Sequence, residues 1–470
     1  MPAEPMAGGS QSPSVILDES APRHVHVVGI GGAGMSAIAS VLASMGNSVS
    51  GSDVRTSPAV ERLREQGVTV SIGHRSDHVG PADLVTYSPA VDEDNVELVE
   101  ARRLGVPVVA RSEMLGSVAS LRRCIAVAGT HGKTTTASML SLILVEAGLR
   151  PSFLIGADVN EIGTNAVWDV GEWLVVEADE SYGSFRSIKP EIAVLTNVEP
   201  DHLDHYGTFT SLRDAFDRYL QSASGARVTS ADDPVAAAIG RGRGAAGVGV
   251  SDDATYQVVD LELRRSSVTF GLSGPDRPLG ILSVPVPGLH NARNAAVAAV
   301  TASLVGASPQ AIAASLARFT GVPRRYEFRG EANGVTFVDD YAHLPTEVRA
   351  ALAAARTGQW SRIVAVFQPH RYTRTATLAA TFAGAFDDAD VVLVSDVYSA
   401  GERPIPGVSG RLVAEAVLSA DATKTVIYAP SRDLLVRQVA GLLRSGDLCI
   451  TLGAGDLTTL PDELQADPRW

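Results

Sequence analysis

The 470-residue sequence predicts an α/β protein built from three domains in series. Three observations carry this. Strand-like apolar runs alternate with helical runs nearly throughout, the pattern of parallel sheets covered by helices. Two of those runs end in glycine turns that open helices, GIGGAGM at 29–35 and GTHGKTT at 129–135. The length also exceeds what one hydrophobic core fills.

In the first block a strand over 24–28 leads into GIGGAGM and a helix through 39–46. Short strands follow near 48–51, 68–72, 84–87 and 107–110, spaced by polar helical segments. Residues 120–123 separate this block from the strand at 124–128, which feeds GTHGKTT and an Ala/Leu-rich helix. Further strands are expected over 173–180 and 191–200. The stretch 224–287, rich in Gly, Ser and Asp, alternates like antiparallel strands, and a helix follows over 291–306. After 322–325 come strand-like runs in 334–340, 362–369, 389–396, 423–429 and 447–453, each followed by a helical run. The expected organisation is a disordered tail (1–20) and domains at 21–121, 122–323 and 324–470: Rossmann-like, P-loop-type and Rossmann-like. No heptads or short-period repeats occur.

Composition removes several functional classes. A formal net charge of −14 argues against an extended nucleic-acid surface, which needs clustered cations to displace counterions. No uncharged apolar run reaches the ~20 residues that span a bilayer, so no membrane insertion is expected. The N-terminus MPAEPMAGGSQSPS lacks the basic and apolar regions of a secretory signal. Cys124 and Cys449, both in apolar strand-like runs, read as buried free thiols in a reducing compartment. A cytoplasmic protein is expected, a monomer or weak homodimer.

GTHGKTT has the chemistry of a phosphate cradle. Consecutive N–H groups in a glycine turn at the positive end of a helix bind anions. Gly129 and Gly132 let the backbone approach closely, Lys133 supplies a point charge, and Thr134 offers a hydroxyl to Mg²⁺. Lys133 is one of only three lysines, with Lys189 and Lys424. The spacing departs from the usual P-loop, which places a glycine where Val127 stands. The plain alternative is a tight turn with an incidental lysine. Hard Mg²⁺ prefers carboxylate oxygens, and Glu177 in EADES (177–181) follows a strand whose end faces the crevice of an α/β sheet. His202 and His205 stand at the end of the next strand. GIGGAGM, with Asp53 where a ribose-binding acid belongs, by itself fits a dinucleotide site.

Together with NVEPDHLDHYG (197–207), GLHNARNA (288–295), DDYAHLPTEV (339–348), QPHRYTR (368–374) and AGERPIPG (400–407), these motifs resemble the Mur ligases, the ATP-dependent amide-bond-forming enzymes of peptidoglycan precursor synthesis. The likeness runs from residue 29 to about 456. It implies that ATP phosphorylates the lactyl carboxylate of UDP-N-acetylmuramate and that the amine of L-alanine attacks the acyl phosphate. Closure over the substrates would shield that intermediate from water.

The resemblance also implies roles. Gly29, Gly31, Gly32, Ala33, Gly34 and Met35 would hold the UDP-sugar diphosphate, supported by Ser52, Asp53, His74 and Ser88. ATP would meet Gly129, Thr130, His131, Gly132, Lys133, Thr134 and Thr135, with His290, Asn291 and Asn294 at adenine and ribose. His290 and Asn291 also suit a helix cap. Arg324 or Arg325 would reach ATP phosphate. Tyr341, His343, Arg371 and Arg374 would face the amino acid and the reacting phosphate, since paired arginines clamp carboxylates and stabilise phosphoryl charge. His370 fits a structural role equally. Thr134, Glu177 and His202 would hold Mg²⁺, and Lys133, His202, His343, Arg371 and Arg374 would carry catalysis.

Two departures stand out. Leu344 replaces the second histidine of the family's His-His-Pro. The helix over 211–220 contains no lysine, so the carbamylated lysine of some members has no counterpart, and metal binding without it is expected. The rival readings are a recycling ligase that attaches a tripeptide to the same UDP-sugar, a folylpolyglutamate-type ligase, a binding protein with a decayed ATP site, and a nicotinamide-dependent dehydrogenase. The last leaves GTHGKTT and EADES unexplained.

Overall fold

The computed structural model describes residues 17–466, so the expected tail lies outside the described residues up to position 16. Its last four residues differ from the expectation. Leu17 is buried and its N–H donates to Ser117 Oγ at 3.0 Å, while Glu19 pairs with Arg122 at 2.8 Å. One apolar side chain and one ion pair are enough to tie down a segment that composition alone assigns to disorder.

The chain forms two compact units. The first holds the described residues up to Asp158 with Thr164–Thr229 and Asp233–Ala246; the second holds Val159–Gly163, Ser230–Asp232 and the chain from Gly247 onward. The first unit begins with a parallel sheet of β1 (His24–Val28), β2 (Ser48–Asp53), β3 (Thr69–Ile72), β4 (Leu84–Tyr87) and β5 (Val108–Ala110), ordered β3-β2-β1-β4-β5. It continues with β6 (Arg123–Ala128), β7 (Ser152–Val159), β8 (Thr164–Val167), β9 (Trp173–Glu177), β10 (Ile192–Leu195) and β11 (Arg227–Ser230), ordered β11-β10-β6-β9-β7-β8. β6 is central and buried from Cys124 to Ala128, as a parallel strand with both faces covered must be. One core serves both sheets: Val27 and Ile38 belong to the same apolar cluster as Ala126, Leu174 and Phe216. Asn165 Nδ2 donates to the Ala33 carbonyl at 3.4 Å, joining the second sheet to the helix Ala33–Ser44.

The second unit contains β12 (Ala246–Gly249) and the antiparallel meander of β13 (Tyr256–Arg264), β14 (Ser267–Ser273) and β15 (Gly280–Val284), then the helix Leu289–Leu304. Its last sheet runs β16-β17-β21-β18-β19-β20, from β16 (Glu327–Ala332), β17 (Val335–Asp340), β18 (Arg362–Phe367), β19 (Val391–Ser395), β20 (Thr425–Ala429) and β21 (Asp447–Leu452). All neighbours in it are parallel except the edge strand β16.

Two sequence expectations need correction. Antiparallel structure does not fill 224–287: β11 leads into the helix Pro234–Gly242, and the meander starts only at β13. The cause is local, because Asp233 accepts from the Ala236 N–H at 2.7 Å and Pro234 takes the first helical position. β16 was not anticipated. Its polar edge face, with Phe328 exposed, carries no alternation strong enough to announce a strand.

Among the described residues no helix is long and apolar enough to cross a membrane. Cys124 and Cys449 are free and fully buried, and burial pushes both thiols up to about 12. A thiol-disulfide reagent at pH 7.5 is therefore expected to label neither cysteine in the folded chain and both after denaturation. Rapid labelling of the native chain would contradict the buried strand positions.

Candidate active site

The first glycine turn borders a cavity. Gly29, at φ +76°, and Ile30 donate their N–H groups to the Ser52 carbonyl at 2.8 and 3.0 Å, fastening the turn to the end of β2. The Gly31 N–H donates to Asp53 Oδ2 at 2.8 Å, and a Cβ on Gly31 would stand 2.8 Å from that oxygen. A cavity of about 790 Å³ opens here, lined by Gly29, Gly31, Gly32, Asp53, His74 and Ser88 among others. Ser52 and Met35 lie elsewhere. Ser52 is fully buried behind the wall and bonds His74 Nδ1 at 3.0 Å, while Met35 points into the core from the helix that Ala33 and Gly34 open.

The second glycine turn sits in the same unit. Gly129 has φ +135° and Gly132 φ +76°, and the helix Lys133–Glu146 starts immediately. Its first N–H groups have no acceptor within the helix. The turn's carbonyls are tied: Lys133 Nζ donates to Gly129 O at 2.6 Å and Thr130 O at 3.3 Å, while Thr196 Oγ1 and Asn197 Nδ2 donate to His131 O at 2.6 and 3.0 Å. His131 in turn reaches Glu199 at 3.2 Å through Nε2. Thr134 Oγ1 lies 3.0 Å from both carboxylate oxygens of Glu177, whose Oε2 also accepts the Gly156 N–H at 2.7 Å. Thr135 is buried in the first turn. His202 has left-handed φ of 51° at the start of the helix Leu203–Tyr206, with Nε2 3.6 Å from the Asp201 carboxylate.

Charge is concentrated around Lys133, whose Nζ pairs with Glu180 Oε2 at 2.8 Å. Burial pulls the ammonium's pKa down, but Glu180, Asp179 and Glu177 outweigh it and the net shift is upward. Glu180, buried and facing Asp179, rises to about 7 despite the lysine. Asp179 falls below its usual range: burial opposes ionisation, and Lys133, the Ser181 hydroxyl and Arg111 together prevail.

The second unit gathers the remaining candidates at the ends of β17 and β18. Tyr341, His343, His370 and Tyr398 form a chain of rings with successive centroid distances of 5.4, 5.6 and 5.7 Å. His343 Nδ1 donates to the Tyr341 carbonyl at 3.0 Å, which fixes its tautomer, and Arg374 Nη1 donates to His370 Nδ1 at 3.1 Å. Arg371, at φ +69°, caps the helix Tyr372–Leu378 and donates its N–H to Tyr398 O at 2.8 Å. Arg324 is held by Asp339 and the carbonyls of Gly453 and Gly455, whereas Arg325 lies 3.6 Å from Glu347; both guanidiniums stand over the face of Tyr341. Asn291 is buried and donates to Pro287 O at 2.7 Å, so it braces the helix start, while His290 and Asn294 are partly exposed there. Leu344 is buried as the N-cap of the helix Pro345–Arg356, its N–H and that of His343 accepted by Glu347.

Sequence reasoning missed several neighbours. Glu180 and Glu199 lay inside quoted motifs without an assigned role. Glu347, two residues past Pro345, is the helix-start acid that capping rules anticipate. Arg111 had no signal: a Cβ on Gly34 would lie 2.7 Å from its guanidinium carbon, so it touches the first glycine turn while its charge acts on Asp179 beside the second.

Two glycine turns on neighbouring parallel sheets, one bordering a cavity and one carrying lysine, threonine and carboxylate, mark a nucleotide-dependent transferase or ligase. Family models agree: residues 24–123 match the Mur ligase family catalytic domain, 127–302 the Mur ligase middle domain and 324–455 the Mur ligase glutamate ligase domain. The chain belongs to the Mur ligase family. Among curated relatives, the UDP-N-acetylmuramate–L-alanine ligase of Bradyrhizobium sp. strain BTAi1 is 44% identical, over 94% of this chain and 98% of the relative. That of Pelotomaculum thermopropionicum is 43% identical, over 94% and 97%. Among solved structures, the UDP-N-acetylmuramate–alanine ligase MurC of Thermotoga maritima superimposes with a TM-score of 0.78 at 28% identity, covering 94% of this chain and 98% of the other. A murein peptide ligase of Psychrobacter arcticus gives 0.68 at 25%, covering 94% and 98%.

His290 supplies a pH test. Burial, then the charges of Arg325 and Arg293, lowers its pKa from 6.5 to about 4. The unfolded chain then binds more protons than the native one between those values, so stability is lost as pH falls from 6.5 to 4. His290→Gln is expected to remove that loss. In urea unfolding at pH 7 and pH 4, the variant should gain on the order of 2 kcal/mol relative to wild type; an unchanged difference would refute a neutral, partly buried imidazole.

Proposed function

We infer that the chain joins L-alanine to the lactyl carboxylate of UDP-N-acetylmuramate at the expense of ATP, releasing ADP and phosphate, in peptidoglycan precursor synthesis in the cytoplasm. The observation that carries this is full-length similarity at 43–44% identity to ligases of that name, in a chain whose second glycine turn brings Lys133, Thr134 and Glu177 together.

A carboxylate is a poor electrophile, and transfer of the γ-phosphoryl group to the lactyl oxygen supplies a leaving group. The amine of L-alanine adds to the carbonyl carbon of the acyl phosphate, and the tetrahedral intermediate collapses with loss of phosphate. In this reading Gly29, Gly31, Gly32, Asp53, His74 and Ser88 receive the nucleotide-sugar, while residues 129–135 cradle ATP with Lys133 toward the transferring phosphate. His290, Asn294 and Arg325 serve the nucleotide; Tyr341, His343, Arg371 and Arg374 serve the amino acid and the developing phosphoryl charge. The strained φ of Arg371 supports that role, since such outliers cluster where function holds them. Asn291, occupied by Pro287, and Met35 and Ser52, away from the cavity, act as supports.

The convergence of a threonine hydroxyl and a carboxylate at a helix start suits a hard cation. Thr134 and Glu177, with His202 as a candidate third, would hold Mg²⁺, which when bound neutralises phosphate charge. Among the described residues no three His, Cys, Asp or Glu side chains form a cage for a metal, in keeping with a site completed by water and phosphate. The division at 121/122 and 323/324, supported by where the family models begin and end, and a monomeric or weakly dimeric state complete this reading.

ADP formation with UDP-N-acetylmuramate should depend on L-alanine in a panel that includes glycine, L-serine and a cell-wall tripeptide. Preference for the tripeptide would favour the recycling ligase. Lys133→Ala should abolish turnover while leaving UDP-N-acetylmuramate affinity within about two-fold; equal loss of sugar affinity in calorimetry would refute separate nucleotide pockets.

A further inference from the structure

Most polar groups around the first glycine turn are taken by one another. Gly29 and Ile30 donate to the Ser52 carbonyl, Gly31 to Asp53, and Gly32 to the Gly29 carbonyl at 3.4 Å. Met35 and Ser36 donate to the Gly32 carbonyl at 3.0 and 2.8 Å. Behind the cavity the buried carboxylate of Glu97 meets Ser52 Oγ at 2.5 Å, His78 Nδ1 at 2.9 Å and His74 Nδ1 at 3.2 Å. Among the described residues, the N–H groups of Ala33 and Gly34 are left without an acceptor at the start of the helix Ala33–Ser44.

One cation beside this turn is left over as well. Arg111 is half-buried at the start of the helix Arg111–Ala119. A Cβ on Gly34 would stand 2.7 Å from its Cζ, 2.8 Å from Nη2 and 2.9 Å from Nε, so a residue without a side chain is what admits the guanidinium. Among the described residues, Arg111 has no hydrogen-bond or ion-pair partner. Its charge reaches Asp179, whose carboxylate is already held by the N–H and hydroxyl of Ser181.

This placement is adverse for the chain by itself. The guanidinium faces the positive ends of two helices, its own and the one it touches at Gly34. Its five N–H donors are withdrawn in part from water with no acceptor supplied in return. An anion between the guanidinium and the N–H groups of Ala33 and Gly34 reverses each of these costs.

We propose that Arg111 is the cation that grips the diphosphate of the nucleotide-sugar, together with the N–H groups of Ala33 and Gly34. This rests on the reading of the first turn and its cavity as the UDP-sugar site. Gly29, Gly31 and Gly32 line the cavity, and Ala33 and Gly34 continue the same turn beyond it. A nucleoside seated in the cavity thus leads its diphosphate along the turn to Arg111. The planar fork suits two phosphate oxygens at once. Arg55 also lines the cavity, but it is exposed, so water and salt screen its charge.

UDP carries the diphosphate without the sugar or its lactyl carboxylate, so calorimetry with UDP and with UDP-N-acetylmuramate separates the two anions. Arg111→Gln should bind both about thirty-fold more weakly than wild type, with ATP affinity within two-fold. The melting temperature of the ligand-free variant should equal or exceed that of wild type, whereas loss of a merely structural residue lowers it. Should Arg111→Gln fail to fold, Arg111→Lys takes its place, with a loss of about five-fold for both ligands, because a point charge remains without the fork. Loss confined to UDP-N-acetylmuramate would assign Arg111 to the carboxylate and overturn the proposal. Wild-type affinity for both ligands in a folded variant would also overturn it and leave the cavity reading standing. Failure of the wild-type chain to bind either ligand would overturn both.

Discussion

A turn that receives phosphate must keep its carbonyl dipoles away from the anion, and at residues 129–131 three successive carbonyls are each taken by a side-chain donor. Lys133 reaches back to Gly129 and Thr130; Thr196 and Asn197, at the end of β10, take His131. Gly129 makes this possible: at φ +135° a Cβ there would overlap Thr196 Oγ1. The parallel pairing of β6 with β10 sets the distance between turn and brace. The sheet therefore supplies the geometry, and the side chains hold the peptide planes in one orientation.

The same turn concentrates charge. Lys133 faces Glu180, Asp179 and, through Thr134, the carboxylate of Glu177. Breaking such buried pairs leaves an uncompensated charge, so the lysine stays ionised and fixed before any ligand arrives. The upward shift of the Glu180 carboxyl shows how weakly its own anion is solvated beside that ammonium. In the second unit Asp340 follows the same pattern: burial raises it to about 6, yet it accepts the N–H groups of Tyr326 and Ala342. It thereby joins the segment carrying Arg324 and Arg325 to the one carrying Tyr341 and His343.

Much of the fold was legible because it depends on neighbours in sequence. Buried parallel strands are continuous apolar runs, and β1, β6, β18, β19 and β21 stand where those runs lie. The glycine turns were legible for the same reason, since anion binding by successive N–H groups needs consecutive residues. The helix Pro234–Gly242 was missed although its Asp-Pro start was present, because small residues such as Ala and Gly leave the helical period faint. β16 was missed because an edge strand needs little apolar surface.

The supports of the sites were illegible for a different reason. Glu199 follows Thr130 by 69 residues, Glu97 follows Ser52 by 45, and Arg111, whose guanidinium touches Gly34, follows it by 77 (111 − 34). A buried glutamate and a solvated one read alike until the fold brings hydroxyls and imidazoles around one of them. Positive φ at Arg324 and Arg371 is also set by tertiary contacts, for no local preference leads an arginine there. Sequence thus names turns formed by consecutive residues, while side chains that act through another side chain emerge only from the packing. Leu344 also depends on another side chain. It is buried as a helix cap, and Glu347 accepts its N–H together with that of His343, so the position is set by the helix start and not by its own side chain.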